Sequence, residues 1–159
     1  MTLRIRRGEL DDVPLIAELI RGLARYEKLE DEVVMTEEKL TDSLFGERRY
    51  AETLIAQDDG EPVGFALFFH NFSTFLAQPG IYLEDLFVVP EQRGRGVGRA
   101  LLERLAQVAV DRGCGRLEWA VLDWNKDAIK FYERLGAKPN SEWTVYRLTG
   151  QPLHALAGE

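Results

Sequence analysis

Three observations predict an α/β fold. Short segments alternate apolar and polar residues with the two-residue period of a strand. Longer segments between them carry apolar residues at the three-to-four-residue spacing of a helix. Gly, Pro, Asp and Asn fall between the two kinds of segment, where turns and caps are needed. The chain has 159 residues with 45% hydrophobic and 30% charged side chains, enough for one domain with a real core, and we expect a single domain over 1–159.

The elements follow in order. Leu3 and Ile5 alternate with Arg4 and Arg6, a first strand. Val13, Ile16, Ala17, Ile20, Leu23 and Ala24 make one face of a helix, with Pro14 in the first turn, where it is tolerated. Thr36, followed by Glu37 and Glu38, is an N-cap with acids in the first turn, and the helix runs to about Leu44. Residues 50–57 and 62–70 read as strands around the Asp58-Asp59-Gly60 hairpin signal. A third strand, 81–89, is stopped by Pro90. The next helix, 98–112, has a stripe of Leu101, Leu102, Leu105, Val108 and Ala109 and ends at Gly113 as a C-cap. Strand 116–122, helix 125–135 and strand 143–149 complete the order β-α-α-β-β-β-α-β-α-β.

Composition excludes several classes. The single cysteine, Cys114, excludes a disulfide scaffold, and as a small residue beside Gly113 and Gly115 it reads as core. His70 and His154 are the only histidines, too few for a metal cluster, and no metal is expected. No apolar run approaches the ~20 residues of a membrane span, and the first residues carry charge without an apolar stretch, so we expect a cytoplasmic protein with no membrane partner. The net charge of −7 speaks against nucleic acid and for a small cationic partner.

The chemistry-bearing feature is the turn Gln92-Arg93-Gly94-Arg95-Gly96-Val97-Gly98, between a strand and a helix. Glycines let backbone approach a ligand, and the helix behind them offers unpaired N–H groups and the positive end of its dipole. That is a pyrophosphate cradle, with Arg93 and Arg95 as added cations. No Lys-Ser or Lys-Thr follows, so it is not a P-loop. A dinucleotide fingerprint fits less well, because the glycines fall at 94, 96 and 98, although Glu118 lies where a ribose-binding acid is expected.

Arg93-x-x-Gly96-x-Gly98 after Val88-Val89-Pro90 resembles the acyl-CoA-binding motif of GNAT-type N-acetyltransferases. The run from Asn125 to Ala137, an Asn followed by a helix bearing Tyr132 before Gly136-Ala137, resembles the next signature of that family. Arg25-Tyr26-Glu27-Lys28-Leu29, Phe45-Gly46, Tyr82 to Val88 and Ala120 to Asn125 are similar to the diamine (spermidine/spermine) acetyltransferase group, the last especially to its thialysine-acetylating branch. Residues 73–80 match only loosely. The resemblance spans nearly the whole chain.

It implies a mixed, mostly antiparallel twisted sheet flanked by helices, acetyl-CoA as co-substrate, a small cationic amine as acceptor and a homodimer, with residues 152–157 against the second subunit. Transfer is direct, without a covalent enzyme intermediate. By the resemblance Tyr132 protonates the thiolate leaving group, which suits a phenol with an ordinary pKa of ~10. Glu84, a carboxylate on a core strand flanked by Leu83 and Leu86, where burial is costly without a purpose, takes the proton of the acceptor through water. Phe87, Val88, Val89, Arg93, Gly94, Arg95, Gly96, Val97, Gly98, Arg99, Asn125, Ala128, Phe131 and Tyr132 are implied to hold the cofactor, with an oxyanion donor among the N–H groups near Phe87 or Val88. Glu27, Glu84 and Asp85 are implied to bind the acceptor. In a regular strand Glu84 and Asp85 point to opposite faces, and a bulge would bring both toward one cleft. Asn125 serves equally well as a plain helix cap, Asp85 as a structural hydrogen-bonding residue, and Glu30, Asp31 and Glu32 as a solvated loop. A protein amine or an aminoglycoside is the alternative acceptor, and an acyl-CoA sensor the alternative class.

Overall fold

The computed structural model describes residues 2–159. It resolves into two compact units, residues 1–120 and 121–159.

In the first unit the order is β1 (Leu3–Arg7), α1 (Val13–Tyr26), α2 (Glu37–Phe45), β2 (Glu52–Asp58), β3 (Glu61–Ser73), β4 (Gln78–Val88), α3 (Val97–Asp111) and β5 (Leu117–Trp119). The five strands lie side by side in sequence order. The first four are antiparallel, and only β5 runs parallel to its neighbour, β4. The expected mixed, mostly antiparallel sheet is therefore present; among the described residues β4–α3–β5 is a single parallel βαβ unit, short of the repeated units of a dinucleotide fold.

Strand alternation sends successive side chains to opposite faces. The paired rung Ile55–Phe65–Phe87 packs with Ile16, Ala17, Leu23, Leu40 and Leu44 of α1 and α2. Helix α3 buries Val97, Leu101, Leu102, Leu105 and Ala109 and packs across the sheet strands. Both helical layers are tied down by charge. Arg6 grips Asp12 with two bonds of 2.7 and 2.8 Å between β1 and the start of α1, holding the Asp12 carboxyl below its ordinary range. Arg112, at the end of α3, grips Glu52 at the start of β2 at 2.7 and 2.9 Å, which lowers the Glu52 carboxyl likewise.

The local signals read from sequence act as expected. Thr36 caps α2 by accepting from the Lys39 N–H at 3.1 Å. Asp59 and Gly60, at φ 50° and 86°, turn the β2–β3 hairpin. Gly113, at φ 71°, follows α3 in a Schellman turn, with the Cys114 N–H on the Ala109 carbonyl at 2.8 Å. Cys114 itself is half-buried in that turn.

The second unit holds α4 (Lys126–Arg134) and α5 (Gly150–Leu156). Two strand expectations are corrected. The strand expected over 116–122 is only Leu117–Trp119, because its ladder with β4 ends at Leu83↔Trp119. Residues 143–149 form no strand, and a helix closes the chain instead. Trp143, Val145 and Tyr146 favour a strand by type but stay exposed, and a strand exists only where a second edge accepts its backbone bonds. Among the described residues no helix is long and apolar enough to cross a membrane.

Candidate active site

The first unit brings three of the expected features to β4. Its pairing with β3 slips between Leu67↔Asp85 and Phe68↔Leu83, so Glu84 is an extra, unpaired residue. The bulge lies one residue beyond the last β4–β5 pair, so from Glu84 onward β4 has a ladder neighbour only in β3. One edge of residues 84–88 is thereby released from the sheet.

The bulge also sets the carboxylates. Glu84 is exposed, which corrects the expectation of a carboxylate buried on a core strand; Asp85 is the shielded one. Burial pushes the Asp85 carboxyl up to about 7, helped by the charges of Glu84 and then Glu27. Glu27 is raised as well, by burial and by Glu84. Asp85 therefore sits in the field of Glu84 and Glu27, and Glu27 in that of Glu84, so both raised carboxyls ionise more readily when a cation lies beside them. Tyr82, whose phenol is raised by burial and then by Glu84 and Glu118, stacks on Phe69 with ring centroids 5.3 Å apart. Nothing in the sequence reading assigned Tyr82 a role; an aromatic two residues before the bulged acid is the signal that marks it.

Glu27 reaches the cluster because α1 stops there. Lys28 takes φ 62°, and the Leu29 N–H turns back onto the Ala24 carbonyl at 2.8 Å. Glu30, Asp31 and Glu32 form the exposed turn beyond it.

At the far end of β4, Pro90–Gln92 makes one 3-10 turn and the glycine stretch follows. Gly94 and Gly96 have φ of 77° and 84°, and Gly96 is the left-handed N-cap of α3. A Cβ at either would meet nothing within 4 Å, so conformation and not crowding requires glycine, and the space before the helix is open. Gly98 lies in the first turn, 3.7 Å from Val88 Cγ2 by its ideal Cβ. The cations are not loose. Arg95 binds Gln92 and lies 3.9 Å from Asp58, and Arg99 pairs with Glu103 at 2.8 Å. The Arg93 side chain folds back along β4: Nε donates to the Val88 carbonyl at 2.9 Å, and the guanidinium covers the Tyr26 ring at 4.3 Å. Glu118, the alternative ribose acid, accepts from Asn71 at 3.0 Å within the sheet. Among the described residues no group of His, Cys, Asp and Glu could hold a metal ion.

In the second unit Asn125 caps α4, its Oδ1 accepting from the Ala128 N–H at 3.3 Å, so the helix-cap reading of Asn125 holds. Tyr132 lies seven residues on, two turns along the same face. Phe131 and Tyr132 contact ring to ring at 5.5 Å. Gly136, at φ 93°, and Ala137 close the helix by a Schellman turn in which the Ala137 N–H binds the Tyr132 carbonyl at 3.2 Å. The Gly-Ala pair of the signature is thus a helix stop that fixes the backbone of the Tyr132 turn.

A bulged strand freed along one edge, leading into a glycine-capped helix start, is a site shaped for a long phosphate-bearing ligand on a transferase scaffold. The model of the acetyltransferase (GNAT) family matches residues 17–137, and the chain belongs to that family. It is an acetyltransferase, and enzymes of this family use acetyl-CoA as co-substrate. The chain is 42% identical to a thialysine N-epsilon-acetyltransferase of Bos taurus, with 98% of this chain and 97% of that protein covered. It is 34% identical to the L-ornithine N5-acetyltransferase NATA1 of Arabidopsis thaliana, over 96% of this chain and 87% of that one. Among solved structures, an integron cassette protein from V. cholerae superposes with a TM-score of 0.81 at 30% identity, covering 100% of this chain and 99% of that chain.

Proposed function

We propose that this enzyme moves an acetyl group from acetyl-CoA to a primary amine of a small cationic acceptor, a diamine, polyamine or lysine-like amino acid. The observation that carries this reading is the group of Glu27, Glu84 and Asp85 around the β4 bulge. Asp85 and Glu27, both raised by burial and by the neighbouring acids, are relieved by a cation, and an acceptor amine arrives as one. The names of the thialysine and ornithine acetyltransferases support the same acceptor class.

The residues fit the co-substrate. The open cradle of Gly94 and Gly96, the α3 N–H groups behind Val97 and Gly98, and the backbone from Phe87 through Val89 to Arg93 suit a pyrophosphate and its pantetheine arm. Arg95 and Arg99 add charge at that end. A backbone N–H near Phe87 or Val88, on the freed edge of β4, polarises the acetyl carbonyl. Asn125, Ala128 and Phe131 supply the α4 contribution.

The reaction needs no covalent enzyme intermediate. Glu84 removes a proton from the acceptor ammonium through water, and Asp85 and Glu27 hold the acceptor beside it. The neutral nitrogen attacks the thioester carbonyl, the C–N bond forms and the C–S bond breaks; the nitrogen, cationic after attack, loses its second proton to solvent, Tyr132 gives its proton to the departing thiolate, and solvent restores the phenol. The test is acetyl-CoA-dependent thiol release with spermidine, spermine, putrescine, thialysine, lysine, ornithine, a lysine peptide and an aminoglycoside. Turnover of a small cation supports the reading. Turnover of only the peptide or the aminoglycoside overturns the acceptor class. Tyr132→Phe is expected to lower kcat at least about 100-fold with acetyl-CoA binding retained, in line with general-acid catalysis; unchanged kcat removes Tyr132 from the mechanism.

A further inference from the structure

We propose that Arg93 is a positioning residue whose side chain ties the pyrophosphate cradle to the acceptor's acidic corner, by clamping Tyr26 at the end of α1 against β4. The inference rests on the reading above for the identity of the two ligands, and on geometry for the clamp.

Arg93 begins the glycine stretch, so its backbone belongs to the cradle. Its side chain leaves in the other direction. Nε donates to the Val88 carbonyl at 2.9 Å, which fixes the guanidinium plane against β4. That plane then lies 4.3 Å from the centroid of Tyr26 and 5.5 Å from that of Phe87. A guanidinium fits between two ring faces because it is flat and weakly hydrated, which an ammonium is not.

Both rings belong to the α1–β4 junction. Phe87 is buried in the core with α1, and a Cβ on Gly22 would stand 3.0 Å from its ring edge. Tyr26 is the last residue of α1, and Glu27 is the C-cap that follows it. The chain then reverses at Lys28, so the Glu27 position is set by where the last turn of α1 is held. Glu27 in turn acts on Asp85 and feels the charge of Glu84. Arg93 therefore lies between the donor cradle and the carboxyl farthest in sequence from it. A ligand held on the glycine stretch is thereby tied through Arg93 and Tyr26 to the position of Glu27.

The test uses Tyr26→Leu, Tyr26→Phe, Arg93→Gln and the Tyr26→Leu/Arg93→Gln pair in the full chain. Three quantities are read: acetyl-CoA Kd by titration, acceptor KM and kcat with the best amine of the panel, and amide hydrogen exchange of residues 26–33 without substrates. Removing the ring in Tyr26→Leu is expected to raise acceptor KM about tenfold, to change acetyl-CoA Kd less than about threefold, and to speed exchange over 26–33, a loss of coupling between two sites. Tyr26→Phe keeps the ring and stays near wild type. Arg93→Gln reproduces the KM and exchange changes, and the pair is no worse in either than Arg93→Gln alone, because both changes break one contact. Unchanged KM and exchange in Tyr26→Leu, or effects that multiply in the pair, overturn the proposal. If the wild-type protein acetylates none of the amines, the proposed function fails by itself, while the exchange data still decide for or against the clamp.

Discussion

At the residue scale the decisive group is Asp85. Its carboxyl, shielded behind the bulge and facing two acids, ionises near pH 7 instead of near 4. With Asp85 in the acceptor-binding role proposed for it, this puts a charge of the free enzyme in transition at neutral pH, so kcat/KM for a cationic acceptor is expected to rise as pH climbs through about 7. Asp85→Asn removes that limb of the profile, and a rising limb unchanged in the variant would assign it to another group. Stability moves the other way. A carboxyl whose folded pKa is raised contributes stability that is fully present below the unfolded value and is lost as pH rises through the folded one. Wild type therefore loses stability between about pH 4 and 7 that Asp85→Asn keeps. Urea unfolding at pH 5 and pH 8 should show the variant gaining about 1–3 kcal/mol on wild type across that interval.

At the element scale, four helices end alike. α1, α3, α4 and α5 each close with a Schellman turn through a left-handed residue: Lys28, Gly113, Gly136 and Gly158. Lysine in that conformation is strained, so Lys28→Gly is expected to stabilise the protein by about 0.5–1 kcal/mol, net of the entropy glycine loses. In the cradle the same logic separates neighbours. Gly96→Ala meets positive φ and should cost about 1 kcal/mol and weaken acetyl-CoA binding. Gly98→Ala meets only ordinary contact with Val88 and should be tolerated in both assays. The Gly113 stop and the Thr36 and Asn125 caps were legible in the sequence because each acts within one turn. The motif glycines were legible too, though not which of them needs its φ. What depends on a partner was not legible. The shortening of β5, the loss of the strand over 143–149 and the exchange of burial between Glu84 and Asp85 all follow from strand pairing and a register slip, which alternation alone does not encode. The fold of Arg93 away from the phosphate end was hidden for the same reason, since Tyr26 is 67 positions earlier in the chain.

At the scale of the whole molecule, charge sets how two unlike ligands arrive. The chain carries 27 acidic against 20 basic residues, so the average field repels the polyanion acetyl-CoA and attracts a cationic amine. The phosphate end answers with short-range elements, backbone N–H groups and the α3 terminus, whose effect falls off within a turn and is felt only on contact. The proposed acceptor end instead carries side-chain carboxyls, and Glu84 among them is exposed, so its field reaches into solvent. Salt screens the second kind of interaction far more than the first, with a Debye length that shrinks from ~30 Å at 0.01 M to ~8 Å at 0.15 M. We therefore expect kcat/KM for a dicationic acceptor to fall about 3–10-fold between those salt concentrations, as steered encounters do. For a monoamine of the same length the fall should be smaller, since it offers half the charge. Acetyl-CoA KM should stay level or drop, because screening also removes the repulsion of the acidic surface. A salt response equal for both amines would show that the carboxyls act only in contact and that steering plays no part in acceptor capture.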